Sequence, residues 1–179
     1  PLSGSQFIKF VTNPTYPTRF SWEKAPNDDD KFKYQFQLIF NYQELTFDNQ
    51  LFYKSLLLAS GEGYIEGGVF FFNYWDDNFF TTCTNTIPYD DPAFEANINE
   101  RYSGNVDIVV TVAAAEFNLF MQVYEPSTSI VQEKPPYTNI TNGIGIFSSR
   151  YYTSISKLLH QETVSDLQDI DYNVLKFVY

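Results

Sequence analysis

Cysteine occurs once in this 179-residue sequence, at Cys83, which excludes an internal disulfide framework and any zinc cluster built on Cys-x-x-Cys pairs. Set between threonines, Cys83 reads as a small core side chain. Histidine is equally scarce: His160 stands alone, so a three-histidine metal site is impossible and a serine or cysteine nucleophile would have a single candidate base. No Gly-x-Ser-x-Gly elbow accompanies it, and its place after Leu158 and Leu159 suits a surface or capping role. Basic residues are few, 11 against 22 acidic ones, and the formal net charge of -11 would repel a phosphate backbone. Nucleic acid is therefore not an expected partner. Phosphate cradles of the Walker type are also missing, because Gly61-Glu62-Gly63 lacks both the further glycine and the helix that should follow. Finally, there is no run of about 18 apolar residues and no charged-then-apolar leader, so the sequence contains neither a membrane-spanning helix nor a signal peptide.

What is abundant is aromatic. Phe occurs 18 times and Tyr 14 times, so flat, bulky side chains do much of the packing that Leu and Ile usually do, a bias that favours strands. A chain of this length can form one domain that buries roughly 70% of the surface exposed by the unfolded polypeptide. We therefore expect a single domain over residues 1–179. The chain begins at Pro1 without a methionine, and the expectation is that it forms the C-terminal part of a longer exported precursor. Acidic residues cluster at Asp28-Asp29-Asp30, Asp76-Asp77 and Asp90-Asp91. These read as solvated loops rather than calcium sites, since none has the alternating spacing of an EF-hand loop.

Strand patterns dominate. Phe7–Thr12 and Arg19–Glu23 flank the turn Asn13-Pro14-Thr15-Tyr16-Pro17, and a second turn at Ala25–Asp30 leads into Phe32–Phe47. There Phe32, Tyr34, Phe36, Leu38, Phe40 and Tyr42 occupy even positions while polar residues are mostly odd, the period-two pattern of a long half-buried strand. Asp48 or Asn49 could cap a short helix over Leu51–Ala59 that Gly61 would end. Gly63, Gly67 and Gly68 bracket a plausible hairpin leading to a strand at Val69–Trp75. Mixed signals from Asp76 to Gly104 suggest long loops with one short element, and Val106–Val112 is a buried strand. Phe117, Phe120, Met121 and Tyr124 form an apolar helical stripe that Pro126 must stop. A strand over residues 143–156, a short helix from Thr163 with Asp166 at the capping-box spacing, and a strand over Val174–Tyr179 complete the chain. The sum is an α+β fold, a mostly antiparallel, sandwich-like sheet with two or three short helices packed on one face.

Chemistry is thinly represented: no catalytic residue, metal site or cofactor is expected. Paired carboxylates could serve a hydrolase, with Glu62 and Glu66 the best placed, though 22 acids make some pair unavoidable. Carbohydrate binding has more support, because sugars dock on exposed rings while amides and acids bond their hydroxyls. Trp22, Tyr74, Trp75 and Tyr89 lie near predicted loop ends and are the candidate ligand-binding residues, with burial in the core as the competing role. Arg150 ends the turn-rich block and is expected to form an ion pair with a nearby carboxylate. Asn139-Ile140-Thr141 matches the N-glycosylation triplet, a pattern common by chance.

Three segments carry a family resemblance. The run TNITNGIGIFSSR from Thr138 to Arg150, preceded by Gln132–Tyr137, resembles a C-terminal "TNI-NG-GIFSSR" block of outer-membrane lipoproteins of Bacteroidota. Tyr34–Glu44 is similar to that family's "Y-x-(x)-I-x-F-x-Y-x-E" strand, and Val106–Tyr124 occupies the place of its next strand and helix. The resemblance implies an exported protein at the outer membrane or cell surface, anchored through a lipidated cysteine that this chain does not contain. It implies no activity. The expected function is a non-enzymatic interaction module, possessing a protein partner at the outer membrane; a glycan-binding accessory of a nutrient-uptake system is the alternative, and a carboxylate-dependent hydrolase a third. Asn142, Gly143, Gly145 and Arg150 are read as fold-critical, since Asn and Gly tolerate left-handed backbone and close approach. Gly143→Val is accordingly expected to lower the melting temperature before it affects binding; an unchanged melting temperature with lost binding would contradict that role.

Overall fold

In the computed structural model, which describes residues 6–23, 33–89, 97–113 and 150–178, the chain forms β1 (Phe7–Ile8), β2 (Thr18–Glu23), β3 (Lys33–Thr46), β4 (Leu51–Glu62), β5 (Tyr64–Glu66), β6 (Val69–Tyr74) and α1 (Asp77–Thr86). A 3-10 turn at Ile87–Tyr89 is followed by β7 (Ile98–Ala113), β8 (Arg150–Leu159), α2 (Gln161–Leu175) and β9 (Phe177–Val178). The larger sheet has the order β1-β8-β7-β3-β4 with β9 attached to β7, and β2-β6-β5 make a smaller one. Pairing is antiparallel except for β1 with β8 and β9 with β7. The α+β expectation is met.

Alternation along β3 sets the architecture. Tyr34, Phe36, Leu38, Phe40, Tyr42, Glu44 and Thr46 are all buried, and the residues between them are not. One face of the large sheet is thus dry and the other wet. Three elements cover the dry face in sequence along β3. Phe36 stacks on Phe72 of the small sheet at 4.1 Å, Phe40 meets Phe79 of α1 edge-on at 5.3 Å, and Tyr42 meets Phe177 of β9 at 5.8 Å. Each such ring pair adds about 0.5–1.5 kcal/mol beyond its area burial.

Leu51–Ala59 is not a helix. It belongs to β4, paired antiparallel with β3 through a turn in which Asn49 has φ 62 and Gln50 N donates to Thr46 Oγ1 at 3.0 Å. Asp48 accepts from the Thr46 hydroxyl instead of capping a helix. Within the run Leu56-Leu57-Leu58 the strand still alternates, with Leu56 and Leu58 buried and Leu57 exposed; the bulge comes at Leu58, where the register steps from Leu38 opposite Ala59 to Ile39 opposite Leu57. Gly61, expected as a helix stop, lies inside the strand opposite Phe36. Gly63 marks the corner where the chain leaves the large sheet for the small one. A Cβ there would fall 2.2 Å from Phe71 O and 2.4 Å from the Phe70 ring. The expected hairpin forms between β5 and β6, with Gly67 and Gly68 both at positive φ as a tight turn requires.

Other boundaries shift for identifiable reasons. The N-terminal strand is limited to β1 because Phe10 bonds to a side chain rather than a ladder: Thr163 Oγ1 donates to Phe10 O and accepts from Phe10 N, both at 2.9 Å. Asp76 Oδ2 and Asp77 Oδ1 accept from Val11 N and Asn13 N at 3.2 and 2.7 Å, so this acidic pair is a brace for the N-terminal segment and not a solvated loop. Helix α2 starts before Thr163. His160 caps it, with Nδ1 accepting from Glu162 N at 3.2 Å and its carbonyl from Thr163 N at 3.0 Å. The helix breaks at Asp171 (φ -160, ψ 82), whose Oδ1 accepts from Val174 N at 3.2 Å and caps a last turn. Strand β7 begins at Ile98, well before the expected Val106, and β8 ends at Leu159. The stripe Phe117–Tyr124, the acidic runs at Asp28–Asp30 and Asp90–Asp91, and Asn142, Gly143 and Gly145 lie outside the described residues.

A bulge in β7 decides which of its residues are buried. Phe40 pairs with Val106 but Tyr42 with Ser103, so Asn41 faces both Gly104 and Asn105. The extra residue reverses the alternation and turns Arg101, opposite Glu44, into the core, where it is 1% exposed. Arg101 Nε donates to Glu44 Oε1 at 2.8 Å, and its Nη1 donates to Val174 O at 3.0 Å and Leu175 O at 2.9 Å. One guanidinium therefore joins β7, β3 and the end of α2. Arg101→Ala should cost about 3–5 kcal/mol by leaving the buried Glu44 carboxylate to Lys54 at 3.9 Å, measured by denaturant unfolding; adding Glu44→Leu should recover part of that loss.

Candidate functional site

The residues nominated as a sugar-docking set are not brought together. Trp22 is half-buried and meets Phe36 edge-on at 5.9 Å, and Tyr74 is 3% exposed with its ring against Phe10 at 5.7 Å. Both point into the core, because β2 and β6 turn that face toward β3; Tyr74 therefore cannot serve as an exposed docking ring. Trp75, 48% exposed, is the one of the four with an open side chain among those described. The side chains of Tyr89 and Arg150 lie outside the described residues, although the backbone of Arg150 opens β8 opposite Ala113. Glu62 and Glu66 each face their own cation, Lys33 at 3.0 Å and Arg19 at 3.3 Å. Such exposed pairs contribute little to stability and leave the two acids in separate ion pairs.

A different set of residues converges on the wet face of the large sheet. Asn41 Nδ2 donates to Asp107 Oδ2 at 2.7 Å, and Asn105 Nδ2 donates to Asp107 Oδ1 at 2.6 Å and to Ser156 Oγ at 2.5 Å. Ser55 Oγ donates to Asn41 Oδ1 at 2.6 Å. The chain Ser55–Asn41–Asp107–Asn105–Ser156 thus crosses β4, β3, β7 and β8. Each member orients the next, and each amide keeps further hydrogen-bonding capacity, since an Asn side chain has two donors and two acceptor lone pairs.

Beside this ladder lies a second row, in which Tyr53, Gln43 and Tyr102 are neighbours across β4, β3 and β7. Tyr53 is 77% exposed. Tyr102 donates its hydroxyl to Glu100 Oε2 at 2.7 Å, and that bond pushes the phenol pKa up. Between the rows is a groove of about 290 Å³ lined by Asn41, Gln43, Tyr53, Ser55, Gly104 and Asn105. Its floor depends on glycine. A Cβ on Gly104 would stand 2.6 Å from Asn41 O, so only a residue without one lets β7 bulge this close to β3.

The polar odd positions of β3 were visible as a solvent face, yet the site itself was missed. Asn41 and Asp107 are 66 residues apart, and nothing in local spacing pairs them. Chemically the arrangement is an ordered set of donors and acceptors beside a flat ring. No three His, Cys, Asp or Glu side chains gather as a metal site among the described residues.

No family model, curated protein or solved structure matches the chain.

Cys83 is fully buried in α1, and burial pushes its thiol pKa far up, with Tyr74 shifted the same way by its own burial and the nearby Cys83 and Asp76. Only a thiolate is strongly nucleophilic. The native protein should leave an aromatic disulfide reagent unreacted at neutral pH, releasing one equivalent of thiolate only on unfolding; rapid native labelling would show that the thiol is accessible.

Proposed function

We propose that this domain is a non-enzymatic binding module of the bacterial cell surface, and that it receives its partner on the wet face of the large sheet. The observation that supports this best is the cross-strand ladder Ser55–Asn41–Asp107–Asn105–Ser156, a preorganised polar array next to the exposed Tyr53 ring. Buried area stabilises the opposite face; the ladder lies on the wet face, with Ser55 and Ser156 exposed and Asn41, Asp107 and Asn105 half-buried, where ordering side chains costs entropy that the core does not offset. Recognition of a partner gives that order a use. The cell-surface address comes from the resemblance of Thr138–Arg150 and Tyr34–Glu44 to outer-membrane lipoproteins of Bacteroidota, with the lipid anchor outside this chain.

The proposal is tested by retention on outer membranes of a Bacteroidota species and on their secreted polysaccharide. The wild-type chain should be retained and should release no new reducing ends or peptide fragments. Ser55→Arg, which places a long cation over the groove at an exposed position, should reduce retention at least tenfold with little change in melting temperature. Retention unaffected by that substitution, or cleavage of the material, would overturn the proposal.

A further inference from the structure

Resting on the binding-module reading, we infer that the groove between Tyr53 and the Asn41–Asn105 ladder is a subsite for a neutral polysaccharide chain. Flatness is the first reason. Tyr53 and Tyr102 lie in one row across β3, and strands spaced about 4.8 Å apart put their backbones about 10 Å from each other. A pyranose ring offers an apolar face of C–H groups to such a ring and a rim of hydroxyls to whatever surrounds it. Tyr53 at 77% exposure supplies the first, and Gln43, Asn41, Ser55 and Asn105 supply the second.

The groove's shape agrees with that occupant. At about 290 Å³ it is near the lower end of ligand-pocket sizes, about 300 Å³, and it is open, which suits one or two units of a longer chain. Order in the hydrogen-bonding groups is the second reason. Asn41 and Asn105 are both held by Asp107, so their remaining donors and acceptors have fixed directions before a ligand arrives. Preorganisation lowers the entropy lost on binding a ligand rich in hydroxyls.

Charge and geometry separate the competitors. Both oxygens of Asp107 are in the ladder, Glu100 stands beside Tyr102, and Lys54, the cation lining the groove, faces the Glu44 carboxylate at 3.9 Å, within a chain of net charge -11. A polyanion such as a uronic-acid polymer would be repelled. An extended peptide gains most of its affinity by adding to a sheet edge through backbone bonds. The groove opens on the face of the sheet between β4, β3 and β7 and presents side chains, so a peptide pairing with the outer edge of β4 would not fill it.

The experiment is calorimetric titration of the full chain with neutral gluco-, manno- and xylo-hexasaccharides, with alginate oligosaccharide as the anionic control. At least one neutral sugar should bind, with alginate at least tenfold weaker. Tyr53→Ala should weaken binding at least tenfold without lowering the melting temperature, Tyr53→Phe should retain most of it, and Tyr152→Ala, on the same face but far along the strands, should leave it unchanged. Binding that survives Tyr53→Ala, or equal binding of alginate, would overturn the inference. So would the failure of every neutral sugar while Ser55→Arg still abolishes retention on outer membranes, a result that would keep the module reading and point to a protein on the same face.

Discussion

The buried pair of Arg101 and Glu44 is the constraint around which the large sheet closes. Both side chains are inside, and the guanidinium divides its donors between the Glu44 carboxylate and the terminal carbonyls of α2. Those carbonyls belong to the last turn, beyond the break at Asp171, and as terminal carbonyls have no partner within the helix. Arg101 N in turn donates to Lys176 O at 2.8 Å, and Lys176 Nζ to Ile98 O at 2.5 Å, so the α2–β9 junction is held over β7 from both sides. A hydrophobic residue at either position could fill the volume. It could not satisfy the helix end and the strand together, and the parallel pairing of β9 with Arg101 and Tyr102 would lose its anchor.

The same irregularity that buries Arg101 builds the outer groove. The extra residue at Gly104 puts the alternation before it out of phase with that after it, so Arg101 turns inward while Tyr102 turns outward beside Gln43. Lys54 links the two sides: it lines the groove and stands 3.9 Å from Glu44 Oε2. Core and site are therefore not independent modules. A residue with a Cβ at Gly104 would meet Asn41 O, the backbone beneath the centre of the ladder, and would strain the bulge that both depend on.

How much of this was legible in the sequence depends on whether the determining contact was local. The alternation of β3 was readable because one face is dry and the other wet, and the β5–β6 hairpin because Gly67 and Gly68 must adopt positive φ. Strand β4 was not, since three consecutive leucines hide which of them point inward, and only pairing with β3 leaves Leu56 and Leu58 buried and Leu57 exposed. Residues 98–105 resembled a loop for the same reason: Ser103-Gly104-Asn105 has turn composition, but here it is a strand carrying an extra residue. The aromatic candidates failed in the opposite sense. In a chain this rich in Phe and Tyr, rings near strand ends are recruited to the core first, and Tyr74 and Trp22 follow that rule.

Tyr53 escapes the rule because of where β4 lies. As the last strand of the large sheet it has a neighbour on one side among the described residues, and its position opposite Gln43 directs it to the wet face, beyond the reach of the small sheet and the helices. An exposed ring there gains nothing from core burial, and its area remains available to a ligand. The adjoining amides are fixed by Asp107 rather than by each other, so the loss of Asp107 would release Asn41 and Asn105 together. The inner and outer sets thus share the backbone at Gly104 and meet again at Lys54: the inner set holds the fold, and the outer set forms the groove to which binding is assigned by proposal.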